Sequence, residues 1–191
     1  MTKQDELQKE FVQKGLKAFK TCNRGYFNLA MRFGKCKTTI TLMDELLGDH
    51  ATILIAYPDN KLKDVWTYEC EKWGYHNPNI TLVNFSSLKK HITHCFDMFV
   101  IDEFHSASEN EREIAHEIMD NCTYTLGLSG TVSSDTDMEW DLTEIASYTT
   151  EEGIKDGILA DYQITVHYVD LDNVVKTKDK KGKLKTEKEK Y

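Results

Sequence analysis

The chain has 191 residues, 40% of them hydrophobic and 29% charged, with a formal net charge of −8. That length holds one buried core of ordinary domain size, and no apolar run approaches the roughly 18 residues of a membrane span. The negative balance argues against a passive nucleic-acid binder, which is usually basic, but not against a motor that grips a strand through local backbone and hydroxyl contacts.

Residues 5–20 have helical spacing, with Leu7, Phe11, Leu16 and Phe19 near one face. An apolar run at 26–31 reads as a strand, followed by a turn at 32–37 and a helix-like stretch at 38–47. Residues 52–57 form a buried-strand pattern closed by Pro58, 61–73 a helix, and 80–85 a further strand. Residues 97–101 are a strand ending in acids, 109–120 a helix, 123–128 a strand, and 163–171 an alternating, more exposed strand. Strands alternating with helices imply βαβ units and a mostly parallel sheet, hence a three-layer α/β/α domain. Ligands of such sheets bind beyond the carboxyl ends of the strands, where 32–38, 58–60, 85–87, 102–105 and 129–131 fall. The domain is expected over 1–172, with a lysine-rich tail or linker over 173–191.

The cysteines at 22, 36, 70, 95 and 122 show no Cys-x-x-Cys spacing, so free thiols in a reducing compartment are expected rather than a zinc site or disulfides. The N-terminus is polar and carries acids, unlike a secretory signal. The expected location is cytoplasmic, with no membrane partner.

The segment Ala30-Met31-Arg32-Phe33-Gly34-Lys35-Cys36-Lys37-Thr38 lies between a strand and a helix. A phosphate site needs converging backbone N–H groups, a helix N-terminus, a lysine, and a hydroxyl for the metal. Lys37 and Thr38 provide the last two in the order of a P-loop, with Gly34 completing Gly-x-x-Lys-Thr. A second frame uses Gly34-Lys35 with Cys36 as the metal ligand. Magnesium prefers oxygen to a thiol, so the Lys37-Thr38 frame is preferred. Cys36, at a helix start beside lysines, is expected to have a lowered pKa.

Phe99-Val100-Ile101-Asp102-Glu103-Phe104-His105 delivers two adjacent acids to the sheet edge, a Walker B arrangement. Asp102 is then the metal-holding carboxylate, Glu103 the group that orients and deprotonates water, and His105 a sensor of the γ-phosphate.

Asp102-Glu103-Phe104-His105 resembles a DEAH box, and residues 5–170 or thereabouts resemble helicase superfamily 2, including type III restriction subunits and phage repair helicases. Leu128-Ser129-Gly130-Thr131 is similar to the family's Ser-Ala-Thr motif, which couples hydrolysis to strand movement. Residues 53–66, with Tyr57-Pro58 and Leu62, are similar to motif Ia. Residues 81–88, with Asn84-Phe85-Ser86-Ser87-Leu88, are similar to motif Ib. Leu7-Gln8-Lys9-Glu10-Phe11-Val12 looks like the segment that reads adenine, and Gly157-Ile158-Leu159 lies in a stretch similar to the one that closes the first domain.

The resemblance implies a RecA-like P-loop NTPase fold and ATP with Mg2+ as cofactors. It places nucleotide on Gln8, Phe33, Gly34, Lys35, Cys36, Lys37, Thr38 and Thr39, and the metal on Thr38 and Asp102. It assigns coupling to Ser129, Gly130 and Thr131, and nucleic acid, DNA in preference to RNA, to Pro58, Asp59, Asn60, Phe85, Ser86 and Ser87. It also implies a second RecA-like domain, in cis or in trans, to supply arginines, so that this chain alone is an incomplete ATPase. The setting it implies is a bacterial or phage-infected cytoplasm. The alternative is a nucleotide-binding regulatory or adaptor domain without significant turnover. Cys36, Phe104 and Gly130 depart from the family pattern.

Overall fold

The computed structural model describes residues 2–132 and 138–160, together with the backbone of 176–178 and 184–186. Helix α1 (Lys3–Ala18) leads into β1 (Arg24–Leu29), α2 (Lys35–Leu47), β2 (Ile53–Tyr57), α3 (Lys61–Lys72) and β3 (Ile80–Asn84). A 3-10 segment (Phe85–His91), β4 (Phe96–Asp102), a second 3-10 turn (Phe104–Ser106) and α4 (Glu109–Met119) follow. Then come β5 (Cys122–Ser129), β6 (Thr143–Tyr148) and α5 (Thr150–Lys155).

The first six strands form one sheet in the order β3-β2-β4-β5-β1-β6, and every pairing in it is parallel. Alternation along the strands builds two cores. Ile53, Ile55 and Tyr57 face one side with Phe11 and Val12 of α1, Leu42 and Met43 of α2, and Trp66 of α3. Leu54 and Ala56 face the other with Phe85, Phe104 and Ala115, Ile118 and Met119 of α4. The result is the three-layer α/β/α arrangement expected from the alternating pattern. A period of two buries apolar residues on both faces only when both faces are covered.

Strand order determines what can meet. β4, β5 and β1 are neighbours, so the turns that follow them emerge side by side. The register places Asp102 opposite Leu128 and Asn28 opposite Ser129. Residues far apart in the chain (30–34, 102–105 and 129–131) therefore converge at one edge.

Three helices close their own N-termini with capping boxes: Thr2 with Asp5, Ser108 with Glu111, and Thr149 with Glu152. Such boxes satisfy the first amides of a helix. Helix α2 has no side-chain cap, and its N-cap is Gly34 at φ 97. Its first amides are left to another acceptor.

The Asp5 of the first box also receives the Lys37 ammonium, and that hydrogen bond, followed by those from Thr2, holds its carboxyl well below the usual carboxylate range. A depressed folded-state pKa stabilises above the unfolded value of about 3.9 and loses that contribution as pH falls towards the lowered value. Thermal unfolding followed below pH 4 is expected to show a smaller acid-induced drop in Tm for Asp5→Asn than for the wild type; equal drops would remove this pair from the acid response.

Strand β6 and helix α5 were not anticipated from the sequence. The expected strand at 163–171 lies outside the described residues. The chain divides into two compact units, residues 1–160 and 161–191. In the second, β7 (Lys176–Lys178) pairs antiparallel with β8 (Leu184–Thr186). Among the described residues no helix is long and apolar enough to cross a membrane.

Candidate functional site

The loop after β1 is held from behind. The Phe33 ring is fully buried, with its centroid 5.3 Å from that of Phe11 and 4.8 Å from that of Tyr148. Its carbonyl accepts from Gln8 Nε2 at 2.7 Å and from Gln4 Nε2 at 2.8 Å. Phe33 thus contributes an anchor and a backbone, not a ring against a base. Arg32 and Gly34 both have positive φ, the left-handed conformation that turns successive amides to one side. The φ of Gly34 favours glycine, and a Cβ there would lie 2.4 Å from Gln8 Nε2 and displace the end of that side chain. The first amide of α2 with its own acceptor is Thr38 N–H, bonded to Gly34 O at 3.1 Å.

The two lysines of the loop go to different places. Lys35 Nζ pairs with the Glu103 carboxylate. Lys37 Nζ lies 2.6 Å from Asp5 Oδ1 and 4.5 Å from the centroid of the Trp73 ring. Two residues on a helix are turned roughly 200° apart. Because α2 begins at Lys35, positions 35 and 37 face opposite ways. The expected meeting of Lys37 with the acid pair does not occur, and Lys35 takes that place. Thr38, expected as a metal ligand, is fully buried, and its hydroxyl donates to Gly34 O at 3.2 Å. Thr39 is also buried, and its Oγ1 has no partner. The residue after the lysine that meets the acids is Cys36.

The expectation of a reactive Cys36 is overturned. Burial first, then the nearby Asp102 and Glu69 carboxylates, push its thiol up to about 12. The helix start cannot offset desolvation beside two acids. Iodoacetamide at pH 7.5 is therefore expected to label the exposed Cys95 well before Cys36, as read by peptide mass spectrometry. Cys36 reacting first would refute this placement.

Asp102 is 4% exposed and ends a strand of buried apolar residues. Burial raises its pKa, against the lowering effects of Lys35 and of a hydrogen bond from Trp66. That bond runs from the fully buried indole Nε1 to Asp102 Oδ2 at 2.9 Å. In the sequence Trp66 reads only as a core or half-buried helix residue; its tie to Asp102 needs the fold. Glu103 adopts left-handed backbone angles, φ 52 and ψ 46, strain of the sort that collects at functional sites.

His105 links the acids to the end of β5. Its Nδ1 is 2.7 Å from Ser129 Oγ and 3.6 Å from Glu103 Oε2, and its Nε2 is 3.4 Å from Thr131 Oγ1. Thr131 N–H donates to Ser129 Oγ at 3.0 Å. Two departures from the family pattern gain physical reasons. A Cβ at Gly130 would lie 2.9 Å from Leu29 O, and Phe104 fills the second core against Tyr26 and Trp140.

Farther along the same edge, Asn84 Nδ2 donates to Pro58 O at 2.9 Å and joins the turns after β2 and β3. Asp59, Asn60 and Ser86 are exposed, and Pro58 and Ser87 are half-buried. Phe85 is 3% exposed and belongs to the second core, so its side chain cannot meet a strand as expected. Gln8 is buried; its Nε2 is taken by Phe33 O and its Oε1 has no partner. Beside it, a cleft of about 210 Å³ between α1 and α2 is lined by Asp5, Gln8, Lys37 and Thr41 among others.

No protein-family model and no curated protein matches the chain. Solved structures do resemble it. The UvsW helicase from bacteriophage T4 superimposes with a TM-score of 0.60 at 15% identity, over 70% of this chain and 57% of that one. The SWI2/SNF2 ATPase core of Sulfolobus solfataricus, in complex with dsDNA, gives 0.56 at 18% identity, over 69% of this chain and 33% of that one. The Pyrococcus furiosus Hef helicase domain gives 0.57 at 10% identity, over 76% and 38%. The matched region therefore spans 57% or less of each of these relatives. At these identities the likeness is one of fold: the six-stranded parallel sheet and its flanking helices are similar to those of these helicase and ATPase cores.

Proposed function

We propose that this domain is the ATP-binding half of an ATP-dependent helicase or translocase that acts on DNA in preference to RNA. The observation that carries the reading is the convergence, at one sheet edge, of an uncapped helix N-terminus, the Lys35 ammonium and the Asp102–Glu103 pair. An anionic triphosphate suits the first two. Lys35, rather than Lys37, contacts the β- and γ-phosphates, and binding transfers its ammonium from Glu103 to the nucleotide. Glu103, once released, is placed to orient water and accept its proton. Gln8 Oε1, a buried acceptor without a partner, fits an adenine amino group at the cleft between α1 and α2.

Magnesium fits the residues present. Mg2+ is commonly held by one or two carboxylates together with substrate phosphates, and Asp102 supplies such a carboxylate while Thr38 does not. When bound, the ion supplies neutralisation of charge on the phosphates. The His105–Ser129–Thr131 hydrogen bonds pass the state of the γ-phosphate to the end of β5, and the turns at 58–60 and 84–87 hold the strand backbone.

A second RecA-like domain, in cis or in trans, completes the site. The chain's arginines are Arg24, Arg32 and Arg112. Arg24 pairs with Asp120 and Asp141, Arg112 pairs with Glu139, and Arg32 lies in the loop itself. None of them stands opposite the loop, where a transition-state arginine acts.

One observation favours a nucleotide-binding adaptor without turnover: the half-buried thiol of Cys36 occupies the position where an oxygen would serve magnesium. Calorimetry with MgATP on this chain, and phosphate release with and without single-stranded DNA once a second RecA-like domain is supplied in cis or in trans, separate the readings. Strand-stimulated release that disappears in Glu103→Gln supports the motor. Binding without release supports the adaptor, and absence of MgATP binding refutes both.

A further inference from the structure

We propose that Trp66 is a positioning residue that links the strand-binding turn 58–60 to the Asp102 carboxylate, so that a nucleic-acid backbone seated on that turn and a Mg-nucleotide at the sheet edge alter each other's affinity. The inference rests on the proposed function and adds the route by which the two ligands communicate.

Three observations meet in α3. The helix starts directly from the turn, where Asp59 Oδ1 accepts from Lys61 N–H at 2.9 Å and Asn84 holds Pro58 O. The turn and the first residues of α3 therefore move together. Trp66 is the only residue of α3 that is buried, and Leu62 and Cys70 pack half-buried against the same core, so Trp66 is the deepest of the helix's anchors. The indole of Trp66, completely shielded from solvent, donates its N–H to Asp102. A buried indole N–H that loses its acceptor, like a buried carboxylate that loses a donor, is costly. A displacement of α3 therefore either carries the carboxylate with it or breaks this bond. No other part of the turn at 58–60 needs to touch the nucleotide edge for a strand to affect it. Coupling of this kind is reciprocal.

The position of Trp66 also distinguishes it from a filler. Its ring belongs to the first core, which also holds Tyr57 and Val100, and there a phenylalanine retains most of the apolar volume while the N–H donor is lost. Trp66→Phe thus removes the proposed link while preserving most of the packing.

The test measures linkage rather than turnover. A fluorescein-labelled single-stranded oligodeoxythymidylate is titrated into the protein with and without saturating Mg-adenylyl imidodiphosphate, and the ratio of the two affinities is taken. For the wild type the ratio is expected to depart from one by about fivefold or more. Trp66→Phe, its folding checked by a cooperative thermal transition, is expected to bind each ligand alone with a ratio close to one. A ratio in Trp66→Phe equal to that of the wild type overturns the inference and leaves the proposed function standing. Failure of the wild type to bind either ligand refutes the proposed function and, with it, this inference.

A second measurement reads the wild-type protein and uses variants only for assignment. The chain has three tryptophans, so the 15N-labelled protein gives a small set of indole N–H resonances. The one absent in Trp66→Phe belongs to Trp66; where that variant does not fold, the Trp66 signal is the one that persists in both Trp73→Phe and Trp140→Phe, since Trp140 is buried as well. It is expected to shift on addition of the oligonucleotide alone and again on addition of the Mg-nucleotide. A Trp66 resonance unmoved by the oligonucleotide at saturation overturns the link, whereas a residue with a purely packing role would give that unmoved signal.

Discussion

Lys35→Ala is expected to lower MgATP affinity and, once a second RecA-like domain completes the site, to reduce turnover by about 100-fold or more, while Lys37→Ala costs at most a few-fold. The magnitude is that of removing one fixed donor aimed at developing charge. The contrast follows from where α2 begins. Lys35 reaches Glu103 and acts on Asp102, whereas Lys37 is turned to the far side, between Asp5 and Trp73. Losing Lys37 removes a solvent-screened ion pair and a cation–π contact, both weak at a surface. Filter binding of labelled ATP and steady-state phosphate release, run side by side on the two variants, decide between the frames. The opposite ranking would restore the Lys37-Thr38 frame.

Phe33→Ala is expected to destabilise the protein by about 3–5 kcal/mol, the cost of emptying a buried aromatic site. The ring has no exposure and lies between Phe11 and Tyr148. Its loss loosens the backbone that Gln4 and Gln8 hold, so nucleotide affinity falls together with the urea midpoint. A variant with unchanged midpoint and weakened nucleotide binding would instead mark Phe33 as a ligand contact.

The layers of the fold and the acidic strand end are legible in the sequence because one physical pattern carries each. Continuous apolar runs such as Ile53–Tyr57 identify strands covered on both faces. The abrupt change from Ile101 to Asp102 identifies the edge where a strand leaves the core. The frame of the lysines is not legible in the same way. Gly34 is compatible with both Gly-x-x-Lys-Thr and Gly-Lys-Cys, and only the left-handed Gly34 at the start of α2 settles which side chains turn towards the acids. That glycine, followed immediately by lysine, was the available signal. A preference for hydroxyl over thiol as a magnesium ligand outweighed it.

Phe33 and Phe85 read as ligand contacts because each lies in a segment at the carboxyl edge of the sheet, yet both side chains are buried. Strand β6 escaped notice because, at the sheet edge, only Ala146 and Tyr148 of its six residues are buried. The hydrogen bond between Trp66 and Asp102 joins positions separated by 36 residues, and no local pattern contains it.

The central claim is that a triphosphate sits between the start of α2 and the acid pair. Backbone amide shifts in a 1H–15N spectrum titrated with MgATP test it most directly. The largest changes are expected at Gly34, Lys35, Cys36 and Lys37, with further changes at Asp102 and Glu103. Shifts confined to other parts of the domain, with those six amides unmoved at saturation, would contradict it.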